Sequence, residues 1–392
     1  MPRVICPKCE KAENIQKSGI VRKKQRFYCK LCNYHFTIHH EIEKTRRKQK
    51  VNSGGQTSLL DIAKAVGVSV STVSRALNNH ADISEKTKIA VKNIAKELSY
   101  EPNALAQSLV TRSTHTLGVI IPNLQTTFFA TMLSGIQHVA SQAGYRVVIC
   151  QSDDLHQTEV ANFHALMNNM IDGLLLCHSM ETSKFDHLKI QLKRGIPIVQ
   201  FYRVTMEVDT PRVFSEDENG AFQVTEHLLE MGCKRIAILL GPPHLLISKK
   251  RLQGYKKALN KFKIPFDPKL LAYSNFSIKS VQASIDNWLQ LTHPIDAIFS
   301  ISDYGAVQTI QYLKKLNIKV PETVCVAGMG NEYTSEIIEP QLTTFDVRMA
   351  LFGETAAKLL LDRIIDQNIS SKNVTVKGNL IIRDSTKRIA VV

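Results

Sequence analysis

With 392 residues, 44% of them apolar, the chain is too long for one small core, and its 7% aromatic and 22% charged residues are those of an ordinary globular protein. No charged, apolar, small-residue leader opens it and no apolar run nears 18 residues, so a secretory signal and a membrane span are not expected, and the cytoplasm, at the nucleoid, is the expected location. The net charge of +15 is uneven: residues 1–56 hold 14 Lys/Arg against 4 Asp/Glu, residues 57–112 hold 7 against 5, and the other 280 hold 29 against 26, so a basic head on a nearly neutral body points to a polyanionic partner for the head.

Residues 1–40 carry two C-x2-C pairs, Cys6-Pro7-Lys8-Cys9 and Cys29-Lys30-Leu31-Cys32, with 19 residues between them. Each pair sets two thiolates on one tight turn. Two such turns complete a four-coordinate site suited to one structural zinc per chain, with Cys6, Cys9, Cys29 and Cys32 as ligands. Forty residues bury little apolar surface, so a metal would supply the folding free energy. The closed set of four thiolates leaves no open position for catalysis. Arg26-Phe27-Tyr28 is a short strand candidate; His35, His39 and His40 are expected at the surface; a disulfide is the competing use of these thiols. Cys150, Cys177, Cys233 and Cys325 sit in apolar stretches and read as small buried residues of a reducing cell. The two cysteine pairs, with Gln25-Arg26-Phe27-Tyr28 and Asn33-Tyr34-His35-Phe36 around the second, resemble the N-terminal zinc ribbon of insertion-element transposases. That resemblance implies a DNA-contacting module with Lys23, Lys24 and Arg26 as its basic surface, without transposase chemistry; contact with another protein is equally open.

Residues 41–56 read as a linker, with Lys44, Arg46, Arg47, Lys48 and Lys50 in its basic half and Asn-Ser-Gly-Gly after them. In residues 57–102, Thr57 or Ser58 can cap a first helix with apolar Leu60, Ile62, Ala63 and Val66, and Gly67 ends it. Ser69 caps a second, Val70–Asn78, with Val73, Ala76 and Leu77 inward. Ser84 caps a third with the stripe Ile89, Ile94 and Leu98, and Pro102 stops it. Two short helices around one glycine form a helix-turn-helix pattern, whose second helix enters the major groove by its N-terminal end. Val70, Ser71 and Arg75 are placed for base edges and Ser69, Thr72, Ser74 and Asn78 for phosphates. A small helical domain that binds protein is the alternative from pattern alone. The run Leu60 to Asn78 closely resembles the headpiece of the LacI/GalR repressor family, and Tyr100-Glu101-Pro102-Asn103 through Leu109 resembles its hinge. The resemblance implies that residues 103–112 become a helix on operator DNA, with Asn103 a DNA contact and Leu109 wedged into the minor groove, and that two chains pair on a pseudo-palindromic site. Seven residues are too few for a lone helix in water, and an apolar wedge opens a groove.

Residues 113–392 alternate short apolar strands with helical stretches: strands at Leu117–Ile121, Arg146–Cys150, Asp172–Cys177, Pro197–Gln200, Arg235–Leu240, Leu270–Tyr273, Ala297–Ser300 and Thr323–Ala327, and helices at Phe129–Gln142, Val160–Met170, Leu188–Arg194, Gly220–Met231, 249–260 and Tyr304–Leu316. Such alternation means parallel sheets covered by helices, and 280 residues suggest two lobes with a cleft beyond the strand ends. The family resemblance extends to residue 383 and implies a core like a periplasmic sugar-binding protein, with the chain crossing between lobes near 209–215, 343–346 and 371–375. The expected class is therefore multidomain: a zinc ribbon, an all-α headpiece and a two-lobed α/β effector-binding and dimerisation domain.

Effector contacts are expected just past strand ends: Phe128, Phe129, Tyr202, Arg203, Arg251, Phe276, Ser302 and Asp303, with Asp303 accepting ligand hydroxyls and Arg251 as its counter-charge. By position Phe129, Arg251, Phe276 and Asp303 match effector contacts of the family. Phe201-Tyr202-Arg203 stands where the family commonly has Phe-Asp-Arg, and Gly330 where it has Asp or Ser. The lost carboxylates leave Arg203 and Arg251 less neutralised, which shifts the expected effector from a plain sugar toward a larger, aromatic-contacting or acidic one, such as a sugar acid or phosphorylated sugar. The paired acids Asp153-Asp154 and Glu216-Asp217-Glu218 read as solvated loops. No phosphate-binding loop, nucleophile elbow or zinc-protease motif is present, so no enzyme is expected. The expected function is an effector-controlled repressor acting as a dimer. A DNA-processing enzyme and an architectural DNA protein without a ligand are the alternatives.

Overall fold

The computed structural model describes residues 4–21, 24–37, 57–101, 113–192, 195–366 and 373–388. The basic linker 41–56 with His39 and His40, Lys23, and the hinge 103–112 with Asn103 and Leu109 lie outside the described residues. The chain divides into two compact units, residues 1–103 and 104–392.

The first unit opens with an antiparallel three-stranded sheet, β1 (Ile15–Val21), β2 (Lys24–Cys29) and β3 (Tyr34–Thr37), in that order. Only part of β2 was visible in the sequence. One face of the sheet is closed by Cys6, Cys29 and Phe36, with Ile15 and Phe27 against them. Three helices follow: α1 (Leu59–Val66), α2 (Val70–Leu77) and α3 (Glu85–Glu97). Each starts where a serine can satisfy the free N–H groups of the first turn. The Ser69 hydroxyl accepts from Thr72 N at 3.1 Å and that of Ser84 from Thr87 N at 3.2 Å. At α1 the bond runs the other way, with the Ser58 N–H and hydroxyl both donating to Asp61 Oδ2 at 3.0 and 2.6 Å. Gly67 closes α1 at φ +76°, in the left-handed region. The headpiece core is Ile62, Ala63, Val73, Ala76, Val91 and Ala95. The expected stripe of α3 is therefore out of phase: Ile89 is 58% exposed and Leu98 37%, and Lys88, Val91 and Ala95 face inward instead. Lys88 lays its methylene stem on the core while its ammonium reaches Glu85 at 2.8 Å, so a lysine holds the place expected for an isoleucine. Leu60 is likewise 51% exposed.

The second unit holds two six-stranded sheets. The first lobe runs β4 (Thr116–Ile121), α4 (Thr127–Gln142), β5 (Arg146–Gln151), α5 (His156–Asn168), β6 (Gly173–Leu176), α6 (Asp186–Leu192), β7 (Ile198–Phe201) and β8 (Arg212–Ser215). The second lobe runs α7 (Asp217–Glu230), β9 (Ile236–Leu240), α8 (Leu246–Lys261), β10 (Leu271–Tyr273), α9 (Ile278–Leu289), β11 (Ala297–Ser300), α10 (Asp303–Lys315), β12 (Cys325–Gly330), α11 (Thr334–Ile337) and β13 (Thr343–Asp346). The chain then returns to the first lobe with α12 (Met349–Ile365) and β14 (Asn373–Val376), and β15 (Asn379–Ile381) ends in the second. The sheet orders are β14-β8-β7-β6-β4-β5 and β10-β9-β11-β12-β13-β15; every pair is parallel except β13–β15.

The three crossings fall at residues 215–217, 346–349 and 376–379, a few residues after each expected place. Each expected window contains or overlaps a four-residue strand, β8, β13 or β14, that finishes one lobe before the chain leaves it. Helix α12 lies on α4 at two glycines. A Cβ on Gly353 would stand 1.9 Å from Met132 O, and one on Gly135 2.1 Å from Ala350 O, so the two backbones touch directly. Cys177, Cys233 and Cys325 are buried and Cys150 is half-buried, all as free thiols. Among the described residues no helix is long and apolar enough to cross a membrane.

Candidate DNA-binding, metal-binding and effector-binding sites

The four N-terminal cysteines converge. All four sulfurs lie within 4.8 Å of one another, with Cys6 to Cys32 at 3.5 Å and Cys9 to Cys29 at 3.7 Å. Sulfurs at the corners of a tetrahedron with metal–sulfur bonds of about 2.3 Å stand roughly 3.8 Å apart, so the cluster has the dimensions of a metal site. A turn with Glu10 at φ +55° bends the first knuckle, where Glu10 N donates to Cys6 O at 2.8 Å. Burial resists ionisation of Cys6, but the backbone N–H groups of Lys8 and Cys9 outweigh it and lower its thiol to about 7. His35 is exposed and stacks at 4.5 Å on Tyr28, outside the cluster.

On α2, Ser69, Val70, Ser71, Arg75 and Asn78 are exposed, and Thr72 and Ser74 half-exposed. They form one accessible surface at the N-terminal end and flank of the helix, opposite the buried Val73 and Ala76. The Ser69 hydroxyl is occupied as the cap. Arg75 Nη1 contacts Asp82 Oδ2 at 2.8 Å, a partner not foreseen. Both side chains are more than half exposed, and such a surface pair is worth little, so Arg75 is free to leave it for another acceptor.

Between the lobes lies a cavity of about 550 Å³ at the C-terminal ends of the strands of both sheets. Seven of the eight expected effector residues line it: Phe128, Phe129, Tyr202, Arg203, Arg251, Phe276 and Ser302. The aromatic wall is built from Phe128 against Phe129 (5.2 Å) and Tyr202 (4.7 Å). Tyr202 (φ +61°) and Phe276 (φ +60°) sit in the left-handed region, which bulky residues rarely occupy and which tertiary structure must impose. Gly330 has φ +148°, a conformation that favours glycine, which accounts for the missing carboxylate there.

The charge pairing differs from expectation. Asp303 does not line the cavity; it is fully buried and accepts from Thr344 Oγ1 (2.6 Å), Ser335 Oγ (2.8 Å) and Glu332 N (3.0 Å). The partner of Arg251 is Asp217, with Nε at 2.8 Å from Oδ1, and the partner of Arg203 is Asp154. Both arginines are thus neutralised by members of the acidic doublet and triplet that sequence reasoning assigned to solvated loops. Their sign beside Arg203 and Arg251 was the available signal, but only the fold shows which acid meets which base.

Glu332, also unforeseen, lines the cavity at 4% exposure. Burial, then the neighbouring Asp303, lifts its carboxyl from 4.5 to about 7. The folded value lies above the unfolded one, so this group costs nothing below about 4.5, and its cost accrues up to about 7. E332Q is expected to leave stability unchanged near pH 4.5 and to raise it by about 3 kcal/mol at pH 8. Denaturant unfolding at the two pH values measures this, and equal shifts at both would contradict it.

Behind Arg203 the first lobe holds a buried polar network. Glu159 accepts from Ser179 N (2.6 Å), Thr182 Oγ1 (2.8 Å) and His178 Nδ1 (2.9 Å), and His187 Nε2 stands 3.4 Å away. His178 Nε2 faces Gln200 Oε1 at 3.0 Å, and that oxygen also accepts from Thr205 N at 2.7 Å, which fixes the amide orientation. Both imidazole nitrogens of His178 therefore face oxygen acceptors, one on Glu159 and one on Gln200.

Residues 58–103 match the family described as bacterial regulatory proteins, lacI family, and residues 114–387 match the periplasmic binding proteins and sugar binding domain of LacI family. The HTH-type transcriptional repressor CytR of Escherichia coli strain K12 is 31% identical over 331 residues, 84% of this chain and 96% of that protein. The ribose operon repressor of Halalkalibacterium halodurans is 30% identical over 332 residues, 84% and 97% of the two chains. Among solved structures, a complex of the transcriptional regulator CelR with cellobiose is 28% identical with a TM-score of 0.65, over 84% of this chain and all of that one. The lac repressor dimer bound to operator and the anti-inducer ONPF has a TM-score of 0.76 at 24% identity, a likeness of fold, over 85% of this chain and all of that one. With both matches in chain order and relatives aligned over nearly their whole length, the chain belongs to the LacI family of bacterial regulatory proteins.

Proposed function

We propose that the protein is a dimeric, sequence-specific transcriptional repressor whose grip on operator DNA is set by a small molecule in the inter-lobe cavity. The observation that carries this reading is the pairing, in one chain, of an exposed recognition face on α2 with an aromatic, charge-balanced cavity at the strand ends. Ser69, Val70, Ser71, Thr72, Ser74, Arg75 and Asn78 contact the duplex, and Asn103 and Leu109 join them from the hinge. Segments 1–40, 41–56, 57–102, 103–112 and 113–392 act as metal ribbon, basic linker, headpiece, hinge and effector domain.

The effector is an uncharged, carbohydrate-derived molecule. With Arg203 held by Asp154 and Arg251 by Asp217, no unpaired guanidinium awaits an acid or phosphate, which replaces the acidic effector expected from sequence. The aromatic wall suits the apolar face of a sugar ring. The repressors for ribose and the regulator bound to cellobiose, as their names print, are consistent with that class. Effector changes the lobe arrangement and with it operator affinity, and the coupling is reciprocal.

The cysteine cluster holds zinc, since four thiolates at tetrahedral spacing suit that ion and leave no open position. Selection of bound sequences from random duplex DNA by the full-length protein, repeated with neutral and phosphorylated sugars, tests the whole. R75A is expected to lose about 1–3 kcal/mol of operator affinity and to relax preference at one base position. Equal binding to every sequence, or no response to any sugar, would sink the reading.

A further inference from the structure

The N-terminal sheet has one face closed over the cysteines and another that faces outward. In β2, Phe27 and Cys29 point to the core, so by alternation Arg26 and Tyr28 point away. The strand register sets Tyr28 between Gln16 of β1 and His35 of β3, and Arg26 beside Thr37. The outward face is thus a row of amide, phenol and imidazole next to a guanidinium.

Its charges are unspent. Among the described residues no ion pair involves Arg26 on this face, nor Lys8, Lys11 or Lys30 in the turns beside the cysteines, and the first one along the chain is Arg75–Asp82. In the effector domain, by contrast, Arg203, Arg251 and Lys261 all meet carboxylates. Cations left without acids, on a surface of hydrogen-bond donors and stackable rings, complement a polyanion.

We propose that this outward sheet face, centred on Arg26, Tyr28 and His35, is a second DNA-contacting surface that binds the phosphate backbone of duplex flanking the operator. The regulator reading enters only in supplying the duplex. The 19 residues from 38 to 56 can span at most about 65 Å, so the contacted phosphates lie within about two helical turns of the headpiece site. Tethering raises the local concentration of that DNA, so a small contact area suffices.

The experiment measures binding of the full-length protein to an operator fragment with and without 20 base pairs of arbitrary sequence on each side. R26Q is expected to weaken binding to the flanked fragment about 5-fold at 0.15 M salt, the value of one released counterion. It should lower the slope of log affinity against log salt by about 1 and leave the bare operator untouched. Metal content of one per chain confirms that the sheet is intact in the variant. R75A, in the headpiece, should lose affinity for both fragments yet keep the full gain from flanks.

R26Q protein that gains from flanks as much as the unaltered chain, or unaltered protein that gains nothing from them, overturns the assignment while leaving the regulator reading intact. A chain that binds neither fragment overturns both. Preferential capture of structured RNA by the same face, lost in R26Q, overturns the duplex in favour of RNA.

Discussion

Full-length protein carrying Cys6→Ser and Cys9→Ser together is expected to contain no zinc, where the unaltered chain is expected to contain one ion per molecule. The three strands around the cluster bury only Cys6, Cys29 and Phe36 completely enough to count as core, far too little to offset the ordering of more than thirty residues. A bound ion would therefore supply the folding free energy of this segment, and the double variant is expected to unfold there as a unit. Elemental analysis gives the stoichiometry, and limited proteolysis reports the fold, with new cleavage expected between residues 15 and 37. The thermal transition of the effector domain should not move, because the cluster lies in the other unit. Retained zinc, or a protease-resistant segment in the double variant, would show that the cysteines are not what holds the sheet together.

Glu159→Ala should be the most damaging single change in the first lobe. The carboxylate is wholly buried. Burial pushes its pKa up, but hydrogen bonds from His178 and His187 and from Ser179 N prevail and hold it well below the usual carboxylate range. Truncation leaves His178 Nδ1, Ser179 N and the Thr182 hydroxyl, all buried, without their shared acceptor. Removing one member of a buried pair costs about 3–5 kcal/mol, which for a domain of this size lowers the melting temperature by roughly 10 °C. The sign of the pH dependence follows from the depressed value: the contribution is complete at neutral pH and is lost as the pH falls below the ordinary carboxylate range toward the folded-state pKa. The gap between variant and parent should therefore narrow in acid. A shift under 2 °C at pH 7 would mean that water or repacking replaces the carboxylate.

The parts of the fold that were legible in the sequence are those with strong local chemistry. Ser69 and Ser84 cap α2 and α3 as expected, Gly67 ends α1, and β11 was placed at its observed residues, because caps, a left-handed glycine and a short apolar run are local signals. Helix α12 went unseen; it lacks a capping side chain, since its N-cap is Arg348, in the left-handed region. Helix α9 did carry a signal, Ser277 capping it and Val281, Ile285 and Trp288 on one stripe, which was not used. Of the cavity, the aromatic residues and arginines were found from strand ends together with the family resemblance. Their partners Asp154 and Asp217 were not, since each pair joins neighbouring elements within one lobe, 49 and 34 residues apart in the chain, and such pairing is set by tertiary contacts more than by spacing. Asp303 was misread for the same reason: a carboxylate at the start of a helix after a strand looks like a ligand acceptor until Thr344 and Ser335 are seen to occupy it.

The glycine contact between α4 and α12 has a consequence for how the protein is made. The first lobe receives the helix α12 and its sixth strand, β14, from residues beyond 348, after all of the second lobe except its edge strand β15 has been synthesised. Until then α4 presents Gly135 and its apolar side with nothing to nest in it, so a partly translated chain emerging from the ribosome cannot finish either half. Both sheets are completed close together in the chain, by β14 and β15. Premature termination anywhere before β14 therefore yields two incomplete halves, with exposed apolar surface for chaperones and proteases to act on.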